Sequence, residues 1–116
     1  MDEVWIVMCN APDLESARAI ADSLVRTRAA ACVNLGAPCE SVYRWQGAVE
    51  RGAEVPLIIK TVSGRYAEVE STIRALHPYQ VPEIIAVPVA AGARAYLDWV
   101  CAETTGHGAA EPPSAG

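Results

Sequence analysis

Two spacings of apolar residues run along the chain, and together they predict its secondary structure. Short apolar runs rich in β-branched residues predict four strands, at residues 4–9, 30–35 with an alternating continuation over 41–45, 54–61 and 83–89. Apolar positions three and four residues apart predict helices after Asp13, between Tyr66 and Leu76, and over 93–102. The order β-α-β-β-α-β plus a C-terminal helix predicts an α+β, ferredoxin-like fold.

The chain length predicts a single domain. Its 116 residues lie within the usual size of one domain. Residues 1–104 contain all the predicted elements. Residues 105–116 are rich in Gly, Ala and Pro and contain no large apolar residue, which predicts a flexible C-terminal tail.

The segment His77-Pro78-Tyr79-Gln80-Val81-Pro82-Glu83 separates the second helix from the last strand. Pro78 disfavours helical geometry at His77, so the helix is predicted to end there. Pro82 has no N–H to donate to a sheet, so the strand is predicted to begin at or after it. The segment is therefore a stiff turn with an imidazole at one end and a carboxylate at the other.

The predicted topology brings residues that are distant in sequence to one edge of the sheet. Strands 1 and 2 run one way and strands 3 and 4 the other, so the end of strand 1 at Cys9 meets His77 and Glu83. A thiolate, an imidazole and a carboxylate are ligand types that suit copper or zinc, and the soft sulfur favours Cu(I). One hypothesis is therefore a metal site at Cys9, His77 and Glu83.

The same edge allows two other interpretations. The hairpin after strand 2 emerges there with Tyr43, Trp45 and Glu54, close to Tyr79, and the first helix begins there at Asp13. A helix N-terminus favours an anion, so a small anionic ligand in a cleft is the second hypothesis. The third is structural: Cys9 packs in the core, His77 satisfies the helix end, and Glu83 bonds to a turn amide.

Composition excludes several classes of function. The net charge is −5 with scattered basic residues, which gives no support for nucleic-acid or membrane binding. The four cysteines form no C-x-x-C pair, which disfavours a zinc knuckle. An acidic N-terminus and the lack of a long apolar segment predict a cytoplasmic protein.

Catalysis has little support in the sequence. Cys9 and His77 are a possible nucleophile and base, with Glu83 as the orienting group. No oxyanion loop, Gly-rich phosphate loop or metal-hydrolase motif accompanies them. The prediction is that the protein is not an enzyme.

Several short motifs, in this order and spacing, resemble the CutA divalent-cation tolerance proteins, and the resemblance extends from Val4 to Val100. They are Cys9-Asn10-Ala11-Pro12-Asp13, Ala30-Ala31-Cys32-Val33-Asn34, Ser41-Val42-Tyr43-Arg44-Trp45-Gln46-Gly47, Glu54-Val55, Lys60-Thr61, His77-Pro78-Tyr79-Gln80-Val81-Pro82-Glu83-Ile84-Ile85 and Tyr96-Leu97-Asp98-Trp99.

The resemblance implies a ferredoxin-like homotrimer similar to the PII signalling proteins, with a role in tolerance of copper and other divalent cations. The copper ligands proposed for the family correspond to Cys9 and His77. Some bacterial members have a second histidine just before the latter, where this chain has Leu76 on the predicted apolar stripe of the second helix.

The trimer also agrees with the predicted sheet. Two helices cover one face of four strands, and both faces of strands 1 and 3 are apolar, so a neighbouring subunit is expected to cover the other face. The hairpin with Tyr43 and Trp45 is the predicted arm between subunits. A protein partner that binds this scaffold, or a PII-like ligand in the clefts between subunits, is the alternative to copper binding.

Overall fold

The computed structural model describes residues 3–105. The strands are β1 Val4–Ala11, β2 Cys32–Leu35, β3 Cys39–Trp45, β4 Ala48–Val62 and β5 Ile85–Pro88. The helices are α1 Leu14–Arg26, α2 Tyr66–Leu76 and α3 Arg94–Thr105, and a 3₁₀ turn at Ser63–Arg65 precedes α2.

The sheet has the predicted ferredoxin-like topology. Its strand order is β2-β4-β1-β5, and every pairing is antiparallel. Strand β1 pairs with β4 along its whole length, from Val4 opposite Val62 to Ala11 opposite Val55. The end of β1 therefore lies beside the start of β5, as the sequence predicts.

Helices α1 and α2 cover one face of the sheet, and the core lies beneath them. Side chains alternate along a strand, so every second residue of β1 and β4 enters this layer. Its large members are fully buried: Val7, Leu57 and Ile59 from the sheet, and Ile20, Leu24, Val69 and Ile73 from the helices. The side chains on the other face of β1 and β4 therefore do not contact α1 and α2.

The opposite face is only partly covered. Helix α3 packs at one end of it, where Val100 joins Val4 and Val62 in a second buried cluster. The remaining area has exposed apolar side chains on β4 and β5, with Ile58 43%, Ile85 51% and Val87 43% exposed. The single chain thus leaves an apolar sheet face in contact with solvent.

The hairpin of β3 and β4 is longer than predicted. The sequence predicts a polar connection over residues 46–53, but β4 already begins at Ala48. Only Gln46 and Gly47 form the turn, and both have positive φ (51° and 85°), as a type I′ hairpin requires. The polar residues of the predicted connection are instead paired strand residues of a projecting arm, with Trp45 opposite Ala48 near its tip.

Pro56 lies within β4 rather than near its start, because of this earlier beginning. It faces the break between β2 and β3, where the Gly36 N–H donates to the Pro56 carbonyl oxygen at 2.9 Å. The edge neighbour of β4 is interrupted at this point, so a residue without an N–H is tolerated.

The ends of the helices show which polar residues act as caps. Asp13 caps α1, as predicted, and its Oδ1 accepts from the Ser16 N–H at 2.7 Å. Ser63 precedes the second predicted helix and is a residue type that favours the N-cap, which predicts that it caps α2. This prediction is wrong, because its hydroxyl oxygen accepts from the Glu3 N–H and a 3₁₀ turn intervenes. The guanidinium of Arg65 donates to the carbonyl oxygens of Thr27 and Arg28, which ties the end of α1 to the start of α2.

The remaining differences concern element ends. Strand β5 is shorter than the predicted 83–89, and α3 continues to Thr105, the first residue of the predicted tail. The rest of that tail, 106–116, lies outside the described residues. None of the helices in the described part of the chain has the length and apolar character needed to span a membrane.

One buried hydrogen bond joins β4 to the segment after α1. The Thr61 hydroxyl is fully buried and donates to the Ala29 carbonyl oxygen at 2.6 Å. We expect Thr61→Val to lower the free energy of unfolding by about 1–3 kcal/mol, because this bond is lost without access to water. Thr27→Val is the control, since the Thr27 hydroxyl bonds Ser23 O at an exposed site. Equal denaturant stability of the two variants would contradict this role.

Candidate functional site

The carbonyl oxygen of Asn10 is the point on which two predicted ligands converge. His77 Nε2 lies 2.6 Å from it, and the Cys9 thiol donates to it across 3.9 Å. Asn10 is next to last in β1, and His77 ends α2, so the strand order brings them together. The predicted meeting of Cys9 and His77 at one edge is thus present in the structure.

His77 is held in place on both sides of its ring. It caps α2 with an extended backbone (φ −86°, ψ 132°), the geometry that Pro78 favours. Its Nδ1 accepts from the Tyr79 N–H at 3.1 Å. We therefore assign the neutral tautomer with the proton on Nε2, which donates to Asn10. Both ring nitrogens are occupied within the chain.

The Cys9 side chain is buried in the main core, with 1% exposure. Burial raises the pKa of its thiol to about 12, and the negative charges of Glu83 and Glu54 contribute to that increase. The thiol is therefore protonated at neutral pH. The Cys9 sulfur thus lies where the negative charges of Glu83 and Glu54 disfavour a thiolate.

Glu83 is not grouped with Cys9 and His77 as a third ligand. Its Oε1 accepts from the side-chain amide of Asn10 at 2.9 Å, on the exposed side of that residue. Within residues 3–105, no three His, Cys, Asp or Glu side chains are grouped in a way that could hold a metal ion. The arrangement that remains is a thiol and an imidazole that share one backbone oxygen.

Leu76 differs from its predicted position. It is 42% exposed, whereas Val69 and Ile73 of the same helix are fully buried. The helix ends at Leu76 and the chain turns into the extended His77, so this side chain reaches beyond the core. It lies next to the candidate ligand, but its alkyl group has no donor atom for a metal.

A cavity of about 710 Å³ lies between the arm and the segment 79–83. We call it the arm cleft. Its wall includes four predicted cleft residues, Tyr43, Trp45, Glu54 and Tyr79, together with Glu83. The arm projects at this edge and the Pro78 turn brings Tyr79 opposite it, so a concave space forms between them.

The carboxylate of Glu54 accepts a hydrogen bond from the neighbouring strand and lies near Tyr79. Ser41 Oγ donates to Glu54 Oε1 at 2.6 Å, and Tyr79 lies close enough to be affected by the Glu54 charge. Partial burial and the nearby charge of Glu54 raise the pKa of Tyr79, with smaller effects of Tyr43 and Asp13. The cleft is therefore a place of negative potential.

Asp13 is near the cleft but not in its wall. Its carboxylate serves the N-terminus of α1, and the hydrogen bond from Ser16 lowers its pKa. The helix end thus already has an anion supplied by the chain itself. This occupation weakens the case for an external anion at the same position.

Asn10 and Ser41 position candidate site residues, although neither residue type indicates such a role in the sequence. Asn10 holds both His77 and Glu83, and Ser41 holds Glu54. Both stood within motifs that carried the family resemblance, which was the available signal. Their roles depend on which strand faces which, so residue type alone did not identify them.

Comparison with known proteins identifies the family. The model of the CutA1 divalent ion tolerance protein family matches residues 5–103. The divalent-cation tolerance protein CutA of Thermus thermophilus is 47% identical over 106 residues, which are 91% of this chain and 100% of that protein. The CutA of Archaeoglobus fulgidus is 39% identical over 94 residues, 81% of this chain and 91% of the relative.

Solved structures agree with the sequence comparison. The crystal structure of CutA from Xylella fastidiosa superimposes with a TM-score of 0.86 at 41% identity, covering 88% of this chain and 98% of that one. The fold and these relatives together place the chain among small ferredoxin-like proteins of the cation-tolerance class. The chain belongs to the CutA1 divalent ion tolerance protein family.

The raised pKa of Cys9 predicts a loss of stability at alkaline pH. The folded protein keeps a proton that the unfolded chain releases near the ordinary thiol pKa of 9.0. This stabilisation is complete below that pH and is lost as pH rises toward about 12. Wild type should therefore lose up to about 1.4 kcal/mol per pH unit relative to Cys9→Ala in that window.

Urea unfolding as a function of pH measures this difference. The control is Cys39→Ala, because Cys39 is an exposed free cysteine. Its stability curve should run parallel to that of the wild type. A Cys9→Ala curve that is also parallel to wild type would show that Cys9 has no such linkage.

Proposed function

We propose that this CutA family member is a homotrimer that binds copper through Cys9 and His77. The convergence of the Cys9 thiol and His77 Nε2 on the Asn10 carbonyl oxygen supports this proposal. A thiolate and an imidazole are a soft donor pair that suits Cu(I), an ion that accepts few ligands. Glu83, held by Asn10, would lie outside the coordination shell and add negative potential.

Metal binding at Cys9 and His77 would require the loss of one proton and of one hydrogen bond. The Cys9 thiol must lose its proton, and His77 Nε2 must give up its bond to Asn10. If the ring proton moves to Nδ1, the Tyr79 N–H also loses its acceptor. Affinity should therefore depend strongly on pH, because a ligand must be deprotonated before it binds.

A copper titration tests the assignment. We expect Cys9→Ser and His77→Ala each to weaken Cu(I) binding at least about tenfold in an anaerobic competition assay with a chelator. Cys39→Ser, at an exposed cysteine, should bind as wild type does. Between about pH 6 and pH 8 the affinity should rise about tenfold per pH unit, one thiol proton being released. Wild-type affinity in both ligand variants would exclude copper at this pair; a parallel Zn(II) titration tests metal selectivity.

Two surfaces of the chain support the trimer. The sheet face with Ile58, Ile85 and Val87 is apolar and exposed, and burying it against a neighbour would be favourable. The arm is paired only with itself among the described strands, and its tip exposes Trp45 and Val49. A rotationally symmetric ring in which each arm reaches the next subunit uses both surfaces.

Light scattering of matched variants tests the assembly. Ile58→Glu should dissociate the trimer, because it buries a charge in the proposed interface. Val25→Glu on α1 is a suitable control, since Val25 has the same 43% exposure as Ile58 but lies on the helical layer. Val25→Glu should keep the mass of three chains. A wild-type mass of one chain at micromolar concentration would contradict the proposal.

The absence of catalysis and the cytoplasmic location are also proposed. Cys9 and His77 both donate to the same acceptor, so in this arrangement neither activates the other as a nucleophile or base. The four cysteines are free in the described part of the chain, which agrees with a reducing compartment.

A second candidate function is that of a PII-like trimer with a small ligand or a protein partner in clefts between subunits. The arm cleft supports this candidate, because its volume is that of a small-molecule site. An anionic ligand is the less favoured occupant, since Glu54 and Glu83 line the cleft and Asp13 already caps α1.

A further inference from the structure

We propose that the arm cleft binds a small organic cation, with an ammonium or guanidinium group held by Glu54 and Glu83 against Tyr43, Trp45 and Tyr79. The inference builds on the ligand cleft of the second candidate function and replaces its anion by a cation. It does not depend on copper binding at Cys9 and His77.

The two carboxylates of the cleft have only neutral hydrogen-bond donors. Glu54 accepts from the hydroxyl of Ser41, and Glu83 accepts from the side-chain amide of Asn10. Among the described residues, the arginine ion pairs go to Glu40, Glu68, Glu70 and Glu103, and Lys60 bonds to the Asn34 amide, so no ion pair there neutralises Glu54 or Glu83. The hydrogen bonds fix both carboxylates without satisfying their charge.

The positions of the two acids are independent in sequence and converge in space. Glu54 comes from β4 at the base of the arm, whereas Glu83 follows Pro82 after α2. Both lie in the wall of one cavity. A cation in the cleft would interact with both.

Three aromatic side chains complete the wall. Tyr43, Trp45 and Tyr79 are 45%, 41% and 41% exposed, although each is large and mainly apolar. The face of an aromatic ring attracts cations and repels anions. Exposed rings beside unneutralised carboxylates are the combination that recognises alkylammonium and guanidinium groups, and covering them with an organic ligand removes apolar surface from water.

The size and donor set of the cleft favour an organic cation over a metal ion. A space of about 710 Å³ is far larger than an ion requires and corresponds to a small molecule. The described residues provide no group of three metal-ligating side chains there. The cleft therefore matches a positive group attached to an apolar or aromatic body.

Matched ligands that differ in charge test the proposal. The probes are phenethylammonium, 3-phenylpropionate and phenethyl alcohol, titrated into the full chain and followed by calorimetry and by NMR shifts of the Tyr79 and Glu83 amides. We expect the ammonium compound to bind, the alcohol to bind more weakly and the carboxylate not to bind. Affinity for the cation should fall with added salt, because charge attraction is screened.

Isosteric variants identify the carboxylates. Glu54→Gln keeps an oxygen that accepts from Ser41, and Glu83→Gln keeps one that accepts from Asn10, so the fold is preserved. Each should weaken binding of phenethylammonium at least about fivefold. Glu50→Gln is the control, since Glu50 is an exposed carboxylate of the same strand outside the cleft wall, and it should bind as wild type does.

Three outcomes would overturn the inference: no binding of the cation at millimolar concentration, tighter binding of 3-phenylpropionate, or unchanged binding in both glutamine variants. Cu(I) titrations of the same variants separate the two proposals. Glu54→Gln should keep at least about a third of the wild-type copper affinity, because Glu54 is not a copper ligand. Loss of copper binding in Cys9→Ser with retained cation binding would confirm that the cleft is a separate site.

Discussion

The placement of β1 between β4 and β5 is the constraint on which the other features depend. All eight residues of β1 pair with β4, and four of them also pair with β5. Successive side chains of a strand point to opposite faces of the sheet. Val7 and Cys9 therefore face the helices, and Ile6 and Met8 lie on the opposite, partly covered face. The same pairing brings the end of β1 to the start of β5. The site at Asn10 and the apolar open face are thus two results of one strand position.

The site combines two demands that oppose one another. A buried thiol that also feels the negative charges of Glu83 and Glu54 strongly favours its protonated form, whereas a bound copper ion would require the thiolate. The positive charge of a metal would offset the carboxylates once it is bound. In the proposed copper site, metal binding would therefore require release of the thiol proton. The cation proposed for the arm cleft, whose wall includes the same carboxylates, would bind without that requirement.

The fold was predictable because its elements carry strong local patterns. The apolar run from Val4 to Cys9 predicts a buried strand, and the four-residue spacing of Val69 and Ile73 predicts the buried face of a helix. The order of these elements then determines the topology. The meeting of Cys9 with His77 followed from that topology alone. Family resemblance was needed only to choose among the functions that such an edge allows.

The arm and the detailed bonding were not predictable in the same way. Glu50 and Arg51 are exposed on paired strands of the arm, so no alternation of burial distinguishes them from loop residues. Asn10 acts through its backbone oxygen and its amide, and the sequence does not indicate where either will point. The high pKa of Cys9 arises from burial and distant charges, which are properties of the assembled fold.

The continuity of β4 has a consequence for how this protein can change length. Ala48–Val62 is one strand, whose first half belongs to the arm and whose second half supplies Leu57 and Ile59 to the core. A single residue inserted into the first half would shift one strand against its partner and turn its side chains to the wrong face. A change of arm length that keeps both the register and the face of each side chain therefore adds or removes two residues in β3 and two in β4. The reach of the arm can evolve in steps while the core beneath it stays unchanged.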